Sequence, residues 1–252
     1  MFTINVHKHD EFISNFIRMY NYWERFTTEI CLEILKIFPS STFIDIGSNI
    51  GWFSLLAASQ KHKVIAFEPI ELNHELFTQS IILNKFENLI TLEKYALGNI
   101  NGFITININE YNMGCSSTRN FEYISKVQTN IPIFKYDDKY SNLSDLIVKI
   151  DVEHMEYDVL KGMINSFKDI LCIILEISID YDDILKLLRD NGFKYIINIG
   201  FDNLNDSNKN IDYYSKHLKN INLYYDIDNL LKNKNYQNQY QYLFTKNILS
   251  DK

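Results

Sequence analysis

Five carboxylates and a lysine stand at the ends of, or interrupt, apolar runs, where a charged side chain is costly unless it has a task. Asp45 lies inside Thr42 to Ile46, Glu68 follows Lys63 to Phe67, Lys149, Asp151 and Glu153 alternate at the end of Leu146 to Ile150, and Glu176 interrupts Ile170 to Ile179. Glu68 comes 23 residues after Asp45, across the turn Gly47-Ser48-Asn49-Ile50-Gly51, and precedes Pro69. A carboxylate there can accept two hydrogen bonds from a ribose diol. Gly47 permits a sharp turn and Gly51 a close helix contact. The position that lets a pyrophosphate approach in a dinucleotide loop is Asn49, so the pattern favours an adenosine-containing cofactor without pyrophosphate. Asp45 should pair with N–H groups of this loop or, through water, with the cationic end of the cofactor; ordering the glycine turn is its structural alternative. The second cluster, Lys149, Asp151, Glu153 and Glu176, must be ion-paired, metal-bound or chemically employed.

These residues need a scaffold, and the apolar periodicity supplies one. The spacing predicts a helix over Glu24 to Phe38 closed by Pro39, a strand over Thr42 to Ile46, a helix from Asn49 or Gly51 to about Gln60, and a strand over Lys63 to Phe67. A helix over Glu71 to Leu83 and a strand over Leu89 to Glu93 continue the repeat, which implies right-handed crossovers and a parallel sheet. Alternating stretches at Phe103 to Ile106 and Ile131 to Ile133 flank the polar loop Asn109 to Asn120 and read as a cover over the sheet's carboxyl edge. The α/β pattern resumes with a strand at Leu146 to Ile150, a helix over about Tyr157 to Phe167, a strand at Ile170 to Leu175, a helix over Tyr181 to Asp190 and a strand at Phe193 to Ile197. Tyr240 to Phe244 reads as a terminal antiparallel strand. Asn198 to Gln239 is too long for a bare loop and should hold a short helix or a substrate-covering insertion.

The chain resembles the FkbM family of S-adenosylmethionine-dependent O-methyltransferases. The resemblance rests on Phe43 to Gly51, Ala66-Phe67-Glu68-Pro69, Asn84, Ala96-Leu97-Gly98, Val148 to Glu156, Leu160-Lys161-Gly162 and Ile174 to Ile177, and covers about residues 40 to 180. It implies a Rossmann-like class I methyltransferase fold: a mostly parallel seven-stranded sheet, helices on both faces, and an antiparallel terminal strand. Residues 1–39 would form a helical segment packed on a methyltransferase domain at 40–252, with a cover at about 99–140 and an insertion at 198–239. It also implies S-adenosylmethionine held by Asp45, Gly47, Ser48, Asn49, Gly51, Glu68 and Pro69, and a small-molecule hydroxyl acceptor such as a sugar or nucleotide-sugar of a glycan or capsule pathway. Asp151 or Glu153 would bind the acceptor hydroxyl or take its proton, with Lys149 setting the charge state, Glu176 holding the acceptor and His154 as a further candidate base. Asp151, Glu153 and Glu176 could instead chelate a divalent cation. The family pattern has glycine where His154 stands. Glu156 fits the N-terminus of the helix that follows.

Composition narrows the classes. A net charge of -7 over 252 residues without a basic run disfavours nucleic acid, and the amine-methylating N-P-P-Y signature is absent. No apolar stretch is long enough to span a bilayer, and Cys31, Cys115 and Cys172 are scattered, so a reducing cytoplasm is the simplest location. A homo-oligomer is compatible with the sequence. The alternatives are an NAD-dependent oxidoreductase, disfavoured by Asn49, and a non-catalytic Rossmann-like binding module.

Overall fold

The computed structural model describes residues 2–10, 12–108, 127–199, 225–233, 240–247 and 249. In chain order the elements are α1 (Ile13–Tyr20), α2 (Arg25–Ile37), β1 (Thr42–Ile46), α3 (Trp52–Ser59), β2 (Lys63–Phe67), α4 (Glu71–Asn84), β3 (Ile90–Glu93), β4 (Ala96–Leu97), β5 (Gly102–Ile108) and β6 (Val127–Phe134). There follow α5 (Tyr136–Tyr140), β7 (Leu146–Ile150), α6 (Glu156–Gly162), β8 (Ile170–Ile177), α7 (Tyr181–Asp190), β9 (Tyr195–Asn198), β10 (Tyr225–Asp226), α8 (Ile227–Asn233) and β11 (Tyr240–Thr245).

The main sheet runs β10-β9-β11-β8-β7-β1-β2-β3, with β11 antiparallel between β8 and β9. The seven expected strands are present, and the two-residue β10 adds an eighth at one edge. Parallel strands covered on both faces must be apolar on both, which is why β7 is buried along its whole length. Alternate residues sort to two cores. Phe43, Ile147, Ile174 and Leu243 pack with α2, α3 and α4, whereas Ile44, Val148, Ile173 and Phe244 pack with α6 and α7. The chain order reverses between β1 and β7, which pair in parallel with Asp45 opposite Lys149, so a crevice opens at their carboxyl ends.

Three elements depart from the sequence reading. The middle segment builds a separate sheet of order β4-β6-β5, in which β5 and β6 pair antiparallel from Gly102–Ile133 to Ile108–Val127. The helix expected to run to Phe167 stops at Gly162, and a tighter 3-10 helix covers Ile164–Asp169. A Cβ on Gly162 would strike the Gly98 carbonyl, and Asp137 accepts the N–H groups of Asn165 (2.8 Å) and Ser166 (3.1 Å), capping a new turn there. Helix α1 was not anticipated; the Asp10 carboxylate accepts the N–H groups of Phe12 (3.2 Å) and Ser14 (2.6 Å) and starts it. Residues 198–239, read as holding a short helix or a substrate-covering insertion, include the short helix α8 among the described residues. The polar loop Asn109 to Asn120 lies outside the described residues. Among the described residues, no helix is long and apolar enough to cross a membrane.

Candidate active site

The loop between β1 and α3 turns back over the end of β2. The N–H groups of Gly47 and Ser48 both donate to the Phe67 carbonyl, at 3.1 and 3.0 Å, and the Ser48 hydroxyl reaches the same oxygen at 3.4 Å. Gly47, Asn49 and Gly51 have φ of 81°, 50° and 92°, a left-handed succession that glycine and asparagine accept most readily. A Cβ on Gly47 would strike the Asp151 carbonyl at the end of β7, and one on Gly51 would enter the Phe77 ring of α4. The two glycines therefore let the loop sit against β7 and α4.

Glu68, only 4% exposed, closes this loop. Its Oε2 accepts the Asn49 N–H at 2.8 Å, and its Oε1 accepts the Ile70 N–H at 2.9 Å and the Asn73 amide at 3.3 Å. Burial pushes its pKa up to about 7, against the downward pull of these three donors. Three of roughly four acceptor directions of this carboxylate are thus taken within the protein. The cleft beside it holds about 650 Å³, partly open to solvent. Gly47, Asn49, Pro69, Asp151 and Glu153 line it with Glu68, and Tyr95, Leu97, Ile104 and Ile106 add apolar walls. Ile104 and Ile106 belong to β5, so the middle segment contributes to the wall of this cleft.

Asp45 takes a different partner from the one expected. It shares a sheet face with Phe43, beneath α3, and accepts the Ser54 hydroxyl at 2.6 Å instead of the loop N–H groups. Burial raises its pKa, with Lys149 acting in the opposite direction.

The same face carries a charged cluster. Period-two alternation places Lys149 with Ile147, Glu176 with Ile174 and Gln241 with Leu243. The Lys149 ammonium donates to Asp151 Oδ2 at 2.9 Å and lies 4.7 Å from the centre of the Phe53 ring. Gln241 Nε2 donates to Glu176 Oε2 at 3.5 Å, while Gln241 Oε1 accepts the Thr27 hydroxyl of α2. Among the described residues, the carboxylates whose oxygens come within 4.8 Å of one another are Glu24, Asp151 and Glu176. The sequence reading put Glu153 in the place of Glu24. After β7 the chain turns through left-handed Glu153 (φ 49°) and His154 (φ 78°), which takes Glu153 into the cleft with Glu68. Glu24, itself left-handed at φ 40° ahead of α2, fills the position beside β8.

The electrostatic consequences are large. Burial first, then Asp151 and Glu156, push the Glu153 pKa up to about 8. Asp151, reinforced by burial and by Glu24 and Glu153, holds the Glu176 carboxyl well above the usual range. Glu156 opens α6 as expected and accepts the His154 N–H at 2.9 Å. His154 lines an adjoining hollow with Asn99, Thr105 and Asp158, to the side of the Glu68 cleft. Glu24 and Gln241 escaped the sequence reading. Gln241 carried the signal that exposed Glu176, a polar residue inside an apolar strand.

Several known proteins are similar to this chain. The chain is 28% identical over 151 residues to the hexuronic acid methyltransferase AglP of Haloferax volcanii, which spans 58% of this chain and 60% of that protein. Among solved structures, the N-terminal domain of human METTL16 in complex with SAH aligns at a TM-score of 0.47 and 10% identity, covering 98% of this chain and 76% of that one. Precorrin-6y C5,15-methyltransferase from Geobacter metallireducens aligns at 0.45 and 9% identity, covering 96% and 92%. The methyltransferase FkbM domain matches residues 45–195, well over half of the sequence, and this chain therefore belongs to the FkbM family of methyltransferases.

Proposed function

We propose that the chain transfers a methyl group from S-adenosylmethionine to a hydroxyl of a sugar or nucleotide-sugar in a glycan or capsule pathway. The observation that carries this reading is the opening of Glu68, the glycine loop, Asp151 and Glu153 into one cleft, so that a nucleoside-binding carboxylate and proton-accepting groups share a cavity. The donor set suits the cofactor: Glu68 accepts a ribose hydroxyl, and Ile70, Tyr95 and Leu97 offer an apolar wall to an adenine ring. That AglP acts on a hexuronic acid supports a sugar acceptor.

S-adenosylmethionine supplies an electrophilic methyl carbon on a sulfonium. The protein's part is alignment and deprotonation. Asp151, anchored by Lys149, binds the acceptor hydroxyl, and Glu153 takes its proton as the oxygen–carbon bond forms and the carbon–sulfur bond breaks. A carboxylate with a pKa near 8 is a stronger base than an ordinary one and is well matched to that transfer. Glu24 and Glu176 accept hydroxyls elsewhere on the acceptor. His154 faces the adjoining hollow and has no part in this scheme.

Calorimetric titration of S-adenosylmethionine and of NAD into the wild-type chain and Glu68→Ala tests the reading. Selective binding of S-adenosylmethionine, weakened in Glu68→Ala, supports it and leads to a screen of nucleotide-sugars with and without Mg²⁺. Selective binding of NAD would replace it with an oxidoreductase.

A further inference from the structure

Residues 2–10 precede the matched family region, yet they bond along α4 to the edge of the cofactor cleft. The Thr3 N–H donates to Asn84 Oδ1 and the Asn5 N–H to Ser80 Oγ, each at 2.8 Å, and His7 Nε2 lies 2.7 Å from Asn73 Oδ1. Asn73, Ser80 and Asn84 share one helical face. At the end of this row, Asn73 is 1% exposed, lines the cleft, and turns its amide nitrogen to Glu68 Oε1 at 3.3 Å.

The polarity of this chain of bonds follows from valence. Asn73 Nδ2 donates to Glu68 Oε1, as it must wherever that carboxylate is ionised, and Asn73 is left facing His7 with its carbonyl oxygen. His7 must then donate from Nε2. Its backbone is held at both ends: its N–H donates to Ser14 Oγ at 3.1 Å, and its carbonyl accepts the Arg18 guanidinium. Without His7, the bond to Glu68 Oε1 alone in this row holds the Asn73 amide against rotation, and a rotated amide would present its oxygen to the Glu68 carboxylate.

We propose that His7 is a positioning residue of the cofactor site, acting through Asn73 to hold Glu68 in its ligand-binding orientation. The inference rests on the reading of Glu68 as the carboxylate that binds the ribose of S-adenosylmethionine. It extends the cofactor site to a segment that the family match at residues 45–195 leaves out.

The test is calorimetric titration of S-adenosylmethionine into the full-length wild-type chain, His7→Leu, His7→Gln, Asn73→Ala and the double variant His7→Leu/Asn73→Ala. His7→Leu should weaken binding by about tenfold, the effect of about one net hydrogen bond. His7→Gln, which restores a side-chain N–H, should return affinity to within about threefold of wild type. In the Asn73→Ala background His7→Leu should add nothing, because its effect passes through Asn73. Unchanged binding by His7→Leu, equal losses in both backgrounds, or a Gln variant as weak as Leu would each overturn the proposal. Imidazole nitrogen NMR on the unsubstituted chain provides a readout independent of whether the variants fold: a hydrogen on His7 Nε2 is expected, and its absence would overturn the assignment. Failure of the wild-type chain to bind S-adenosylmethionine would overturn the cofactor reading and this role together, whereas binding that His7→Leu leaves intact would overturn this role alone.

Discussion

Replacing Lys149 with methionine keeps the length of the side chain and removes its charge from the middle of the carboxylate cluster. Lys149 is 3% exposed, bonded to Asp151 at 2.9 Å, and also attracted by Glu24 and Asp45. Burial opposes its charge, but these carboxylates outweigh burial and raise its pKa above the ordinary 10.5. A lysine with a raised folded-state pKa contributes stability that is fully present below 10.5 and is lost only as the pH rises through the higher folded value, so the whole contribution is present at neutrality. Removing one partner of a buried pair costs about 3–5 kcal/mol. The Asp151 side chain keeps 23% exposure, so the lower end applies. For a chain of this size about 3 kcal/mol lowers Tm by about 6–12 °C. Thermal denaturation followed by circular dichroism at pH 7.5 should show that loss. The loss should shrink at pH 5.5, where Asp45, whose pKa is raised by burial and by Asp151, and Glu176, whose pKa is raised by Asp151 and by burial, both held down by Lys149, take up protons instead of remaining charged. Adding Asp151→Asn to Lys149→Met should recover part of the loss, since no unpaired charge then replaces the pair. A drop of less than about 2 °C, well below the range for a broken buried pair, or a double variant no more stable than the single one, would refute the view that Lys149 neutralises this cluster.

The raised carboxyl pKa values of Glu68, Glu153 and Glu156, about 7, 8 and 7 against 4.5, contribute stability that is full below 4.5 and is lost as the pH rises through 7 to 8. The ligand-free chain should therefore melt higher at pH 6 than at pH 8.5, and Glu153→Gln should flatten that slope; equal slopes in the two proteins would contradict the assignment. Gly47→Ala sets a Cβ against the Asp151 carbonyl at φ 81°, and calorimetry and melting should show at least about tenfold weaker cofactor binding and a stability loss of about 1–3 kcal/mol. Gln241→Leu cuts the link between Thr27 and Glu176, so steady-state kinetics should show a raised acceptor KM, by about tenfold for a lost charged hydrogen bond, with cofactor affinity unchanged. Loss of cofactor affinity in that variant would place Gln241 at the other end of the cleft.

The strands were legible because a parallel sheet demands uninterrupted apolar runs. Thr42–Ile46, Lys63–Phe67 and Leu146–Ile150 have the bounds that periodicity gave them. For the same reason Asp45, Lys149 and Glu176 stood out: each is a charge in a run that has no place for one. Glu24 had no such contrast, since it stands between Trp23 and Arg25 at the start of an amphipathic helix rather than inside an apolar strand, and only a left-handed backbone turn brings it to Asp151 and Glu176. Conversely, the alternation of Lys149, Asp151 and Glu153 suggested one shared face, and the turn through Glu153 and His154 takes Glu153 out of the close group of Glu24, Asp151 and Glu176 and into the cleft. Dihedral angles of single residues at strand ends are set by tertiary contacts, such as that of Gly47 with the Asp151 carbonyl, and leave little trace in local sequence pattern.

The strap that residues 3–7 form along α4, and the arrival of Glu24 beside β8, bear on how this protein can be cut and recombined. Residues 45–195 carry the recognisable family pattern, but side chains from before that stretch reach residues that line the cleft, His7 at Asn73 and Glu24 beside Asp151. A chimaera that transplants only the matched stretch onto another member's leader would inherit the host's groups at the Glu24 position and along α4. Acceptor preference should then follow the donor of the leader as much as the donor of the central domain.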